Sequence, residues 1–122
     1  MNTNNQIQPT NLSECFDLLN EILNDSEDKE WFKSSNEEEV LNSTHHALGE
    51  WIRESWNLWE KNSTLYNHFY KMGLWHPEDI SIFILRSYHR FINKKELSLS
   101  YQIDRYIDYW KEYQQKHGPI NK

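Results

Sequence analysis

His76-Pro77-Glu78-Asp79-Ile80-Ser81-Ile82-Phe83-Ile84-Leu85-Arg86-Ser87-Tyr88-His89-Arg90-Phe91-Ile92 is the stretch on which the fold turns. Ile80 and the run Ile82 to Leu85 leave almost no polar face, as in a strand buried on both sides or a helix buried all round. Proline ahead of two acids is the composition of a helix start: proline suits the first helical position, and carboxylates suit the positive end of the helix dipole. The three- and four-residue spacing continues through Tyr88, Phe91 and Ile92. The reading is a helix to about Asn93, set in the middle of the molecule.

Working outward, the same period recurs. Leu12, Cys15, Phe16, Leu19, Ile22 and Leu23 draw one apolar stripe, and a short second helix over about 27–33 carries Trp31 and Phe32. Ser35 with Glu38, or Asn36 with Glu39, forms a capping box that opens a third helix over about 36–58, with a break near Asn42-Ser43-Thr44. Its stripe is Leu41, His45, Leu48, Ile52, Trp56 and Trp59. Thr64 starts a fourth helix that Gly73 ends. A last helix over about 98–116 carries Leu99, Ile103, Tyr106, Trp110 and Tyr113. The fold class is therefore all-α, a compact single-domain bundle of five or six helices over residues 11–117. Polar residues 1–10 read as a disordered N-terminal segment, and 118–122 as a tail.

Composition agrees. The 122 residues are one domain's worth, and only three Gly and three Pro argue against a turn-rich β fold. Six Trp, seven Tyr and five Phe supply burial that the modest aliphatic content does not. One cysteine, Cys15, excludes an internal disulfide and a cysteine-pair metal site. The opening residues lack the basic and apolar regions of a signal peptide, and no apolar run approaches the roughly 20 residues of a membrane span. The expected location is the cytoplasm.

Net charge is −6, divided as −10 over residues 1–60 and +4 over 61–122. An overall acidic chain argues against nucleic acid as a partner. Glu27, Asp28, Glu30, Glu37, Glu38 and Glu39 could form a face that steers a basic protein surface, or simply a solvated surface. Arg86 and Arg90 form a small basic patch that could pair with that acidic half, within one copy or between two.

Candidate site residues gather in two places. His45 lies on an apolar stripe, where it is either a satisfied core imidazole or a group at a cleft floor. Arg53 follows Gly49 by four residues and precedes Trp56 by three, so all share one helix face. It could stack on the indole and offer its fork to an anion, or pair internally with Asp79 or Glu50. A glycine inside a helix costs about 1 kcal/mol and calls for close packing beside it. His76 and Asp79 are either helix caps or part of an anion site. No metal motif, cofactor loop or nucleophile signature is present, and Cys15 reads as a structural thiol.

The stretch from His45 to Trp59, His-His-Ala-Leu-Gly-Glu-Trp-Ile-Arg-Glu-Ser-Trp-Asn-Leu-Trp, followed by His76-Pro77-Glu78-Asp79-Ile80, resembles a bacterial family of small helical proteins of unknown function. The family pattern is H-x-x-L-G-x-W-I-R-N-x-W-x-L-W and then H-P-D-D-M. The resemblance covers roughly residues 12–97 and places His45, Gly49, Arg53, Trp56, Trp59, His76, Pro77 and Asp79 on that pattern. Glu54 stands in place of Asn, and Glu78 in place of Asp. It implies a shared helical fold and no activity.

Three functional readings follow. The first is a non-catalytic protein-interaction module, such as an immunity protein or a binder of a phage or defence factor, since Trp, Tyr and Arg dominate interface hot spots. The second is a small-molecule or nucleotide binder using Arg53, Trp56, Trp59 and His76, with a small anionic ligand. The third is a small hydrolase using His45 and Asp79. Self-association is compatible with each. A concave pocket lined by these residues favours the second or third, and a flat acidic face with exposed aromatics favours the first.

Overall fold

The computed structural model describes residues 8–24 and 26–120. Seven helices follow one another: α1 (Leu12–Ile22), α2 (Ser26–Ser34), α3 (Glu37–Thr44), α4 (Leu48–Ser55), α5 (Thr64–Met72), α6 (Pro77–Ile92) and α7 (Leu99–His117). The chain is all-α among the described residues, with seven helices where the sequence suggests five or six.

The extra helix comes from residues 36–58, which part into α3 and α4 just after the expected break at 42–44. The Thr44 hydroxyl donates to the Val40 carbonyl at 2.7 Å, a side-chain bond that competes with the helical ladder. His45 still bonds back to Leu41, and Trp51 back to Ala47, but the ladder lapses between them. Asn36 opens α3, accepting from the Glu38 and Glu39 amides. Ser63, not Thr64, caps α5, accepting from the Tyr66 amide.

Three helices close alike. Asn57, Gly73 and Lys94 sit at left-handed φ of 56°, 111° and 58°. The next residue's amide then reaches back to Arg53, Phe69 and Arg90 carbonyls at 2.9, 3.0 and 2.8 Å. In the first two motifs that next residue is a buried leucine, Leu58 or Leu74, which pins the helix end to the core. Gly73 is required twice: for its φ, and because a Cβ there would stand 3.0 Å from Ile107 Cδ1.

The helix over 76–92 is central, as its sequence predicts. From Ile80 to His89 it presents a continuous buried surface, and it packs against α1, α2, α3, α4 and α7. Its apolar residues build the core with Phe16, Phe32, Ile52 and Phe69. Its polar residues fix which neighbour sits where. Tyr88 donates to Asn20 of α1 at 2.6 Å, and His89 Nε2 meets the Ser35 carbonyl at the end of α2 at 2.9 Å. Arg53 of α4 donates to Ser81, and Gln102 of α7 donates to Ser87 at 3.1 Å. A register shift would strand several of these buried groups together, each costing about 1–3 kcal/mol unpaired.

Residues 8–10, within the segment read as disordered, are seated on the domain. Gln8 donates to the Ser55 carbonyl, and Thr10 bonds the Glu14 carboxylate through both its amide and its hydroxyl. Residues 1–7, and 121–122 of the tail, lie outside the described residues. His68 is half-buried and accepts from the Leu12 amide at 3.3 Å, and burial lowers its pKa.

Candidate functional site

Helix α7 runs back antiparallel along α6, and a groove of about 720 Å³ opens beside their contact. That volume falls within the roughly 300–1,000 Å³ of small-molecule pockets. One wall is the start and outer face of α6: His76, Glu78, Asp79, Arg86 and Arg90. The other is α7: Tyr101, Arg105, Tyr106, Tyr109 and Trp110. Glu38 of α3 closes the edge. Three arginines stand against three carboxylates, so the lining is charge-balanced and rich in aromatic surface.

His76 caps α6, its Nδ1 accepting from the Glu78 amide at 3.1 Å, and Pro77 follows at the first turn. Its ring stacks on Trp110, centroids 5.7 Å apart and planes 13° apart, with Trp75 and Trp59 edge-on. Asp79 does not bond back to its own helix start. It accepts from the Trp110 indole at 2.8 Å. Burial pushes its pKa up, outweighing the opposite pull of Trp110 and His76. Tyr106 is pushed up to about 12, chiefly by burial, so it stays a hydroxyl donor at physiological pH.

The basic patch pairs within one copy. Arg86 donates to Glu37 at 2.6 Å and to Glu38, and Arg90 holds Glu37 through Nε at 2.8 Å and Nη2 at 3.2 Å. Burial disfavours the Glu37 charge, but the two guanidiniums outweigh it and hold the carboxyl below its usual range. The six acids read as one partner face therefore divide. Glu37 and Glu38 are engaged in an ion-pair network with Arg86 and Arg90, and Glu27, Asp28, Glu30 and Glu39 are exposed, as is Trp31.

The residues drawn from the first motif lie beside the groove rather than in it. Arg53 is 7% exposed, and its guanidinium lies across Gly49, 3.1 Å from where a Cβ would stand. It donates to Ser81 Oγ at 2.9 Å, and Ser81 donates on to the Glu78 carbonyl. Neither Asp79 nor Glu50 is its hydrogen-bond partner. His45 Nε2 lies 3.9 Å from the Glu78 carboxylate, and its Nδ1 is buried with no hydrogen-bond partner. Glu78 thus links the cluster: its side chain to His45, its amide to His76, its carbonyl through Ser81 to Arg53. Trp56 is in the core against Trp51, whereas Trp59 is exposed.

Sequence reasoning missed the α7 wall. Tyr106 and Trp110 read as core; both are half-buried, with Tyr106 packed against the core, and Tyr113, which reads on the same stripe, is exposed. The available signal was Tyr101-Arg105-Tyr109-Tyr113, a four-residue spacing that draws one ridge of long side chains along the helix. Cys15 is buried in α1 with its thiol pKa raised by burial, as befits a structural thiol. Among the described residues no three His, Cys, Asp or Glu side chains cluster closely enough to hold a metal ion. No described helix is long and apolar enough to cross a membrane.

The fold and groove define a small all-helical domain built around one central helix, with a second long helix laid against it. The model of a family described as Domain of unknown function (DUF6794) matches residues 8–92, and the chain belongs to that family. The match ends at the last residue of α6, so α7 and its wall of the groove lie beyond it. No curated protein and no solved structure matches the chain.

Proposed function

We propose that this chain is a non-catalytic protein-interaction module that holds its partner on the α7 ridge and in the groove beneath it. The observation that carries this reading is the imbalance of α7. Over Leu99–His117 it buries Gln102 alone, while Tyr101, Tyr109 and Tyr113 stand 63, 57 and 40% exposed. A helix that served only the core would turn such rings inward. Tyrosine offers a large, rigid contact at low entropic cost, and Tyr, Trp and Arg are the residue types that dominate interface energetics. Immunity or phage-defence proteins act in this way, by occupying a partner's surface. Exposed Glu27, Asp28, Glu30 and Glu39 would speed the approach of a basic partner without holding it.

The groove's volume and its His76–Trp110 wall favour a second reading, a small ligand with a flat ring and polar edges. The hydrolase reading has less support: Asp79 is bonded to an indole, and His45 is set against Glu78 instead.

The test is a photo-reactive amino acid placed at Tyr109 or, separately, at Trp31, in the full chain expressed in its own host. A single protein adduct at Tyr109, with binding to that purified protein weakened about tenfold by Tyr109→Ala, is expected for a hot-spot residue. Adducts confined to position 31 would contradict the proposal. A small molecule that copurifies and is displaced by Trp110→Ala would replace it with the second reading.

A further inference from the structure

The connection between α6 and α7 is built against its own preferences. Residues 93–98, Asn-Lys-Lys-Glu-Leu-Ser, contain neither glycine nor proline, and Lys, Glu and Leu are good helix formers. Yet Lys94 and Ser98 are held at φ of 58° and 54°. The left-handed region costs a side-chain-bearing residue roughly 1–2 kcal/mol.

The start of α7 shows the same conflict. Asn11, Asn36, Ser63 and His76 each cap a helix with a side-chain acceptor. Ser98 makes no side-chain cap bond. The first amides of α7, like those of α4 behind Ala47, therefore have no capping side chain. If residues 93–98 became helical, those amides would find carbonyls one turn back. Residues 77–117 would then be one helix about 60 Å long at 1.5 Å per residue.

From these features we infer that α7 exchanges between two copies of this chain: residues 93–98 straighten, and each copy's α7 seats on the other's α6. The contacts α7 makes would be recreated across the two chains. These are Gln102 on Ser87, Trp110 on Asp79, and Ile107 over Gly73. What opposes exchange is equally visible. The Leu97 carbonyl accepts from both Arg90 and Gln102, and the Lys95 amide bonds the Arg90 carbonyl. These bonds must break first, which makes exchange slow, and the pairing of two chains makes the dimer concentration-dependent. In the exchanged pair each groove takes its α6 wall from one copy and its α7 wall from the other, so neither groove is complete without the second chain. The inference goes beyond the proposed partner and does not depend on it.

The test uses the full chain, unfolded in urea and refolded at high and at low protein concentration, with mass read by light scattering. A dimer favoured by high concentration is expected. In a dimer mixed from differently isotope-labelled chains, nuclear Overhauser contacts between Ile107 methyls and Gly73 should run between chains. Lys94→Gly with Ser98→Gly relieves the strained hinge of the closed form, and should lower the dimer fraction about tenfold or more. A Gly-Ser insertion after Lys95 should act in the same direction, and circular dichroism checks that both variants fold. A chain that stays monomeric at every concentration would overturn the inference. So would a dimer whose Ile107–Gly73 contacts stay within one chain, or one undiminished in both hinge variants.

Discussion

The indole of Trp110 donates to the carboxylate of Asp79 at 2.8 Å, joining a residue outside the family match to one at the start of its central helix. This bond places α7 lengthwise on α6, while the stack of Trp110 on His76 fixes its rotation. Both residues line the groove, one from each wall.

Asp79 is held in a setting that disfavours its charge. Burial is the main cause of its raised pKa, so the folded chain binds that proton more tightly than the unfolded chain does. Its contribution to stability therefore falls as pH rises from the unfolded value through the folded one. Asp79→Asn keeps an acceptor for Trp110 and removes the charge. Thermal melts should show the variant gaining on the natural chain at pH 7 relative to below pH 4. A variant that loses ground on going to pH 7 would count against this.

Glu37 behaves in the opposite sense. Two guanidiniums hold its pKa down despite burial, so its contribution is present above the ordinary glutamate range and lost as pH falls through the depressed value. Glu37→Gln should cost about 1–3 kcal/mol at pH 7, because it leaves two part-buried arginines short of a partner. Glu39→Gln, at an exposed position on the same helix, should stay within about 0.5 kcal/mol. Urea melts of the two variants distinguish an ion-pair role from a merely acidic surface.

Gly49 and Ser81 should be coupled through Arg53. A Cβ at Gly49 would press on the Arg53 guanidinium at 3.1 Å, while alanine also gains up to about 1 kcal/mol in helix propensity. With Arg53 tied to Ser81, Gly49→Ala should be neutral or slightly destabilising. With Ser81→Ala present the guanidinium can yield, and the same change should become stabilising. A coupling energy of about 1 kcal/mol is expected from the double-mutant cycle, and strict additivity would refute the link.

Gly73→Ala should be costly for two reasons at once, its left-handed φ and the Ile107 methyl 3.0 Å from the new Cβ. A loss of about 1–3 kcal/mol is expected. Because the clash is with α7, the Trp110 indole N–H resonance should shift at denaturant concentrations where the rest of the fold is intact. A variant that unfolds in one step with that resonance unchanged beforehand would show that α7 is not loosened separately.

Much of this fold is legible in sequence because helix signals are local. The proline start at 77 and the apolar run 82–85 locate the central helix, and Gly73 marks the end of the helix before it. Asn42-Ser43-Thr44 marks the break in 36–58, but not that it makes two separate helices, which depends on where the Thr44 hydroxyl goes. For the site, His76 and Asp79 stand out as a helix-start pair, and Arg86 with Arg90 as a patch awaiting acids. Their real partners, Trp110 and Glu37, lie 31 and 53 or fewer residues away, and no periodicity encodes that distance. The tyrosine ridge went unread for another reason: an aromatic on a helix reads as core until its neighbours show which face is already covered.

Hydrogen–deuterium exchange of the full chain, alone and with the protein captured at Tyr109, tests the central claim most directly. Binding through the α6–α7 groove predicts slowed exchange in peptides spanning 76–90 and 99–113. Slowing confined to residues 26–39, with the α7 peptides unchanged, would contradict it.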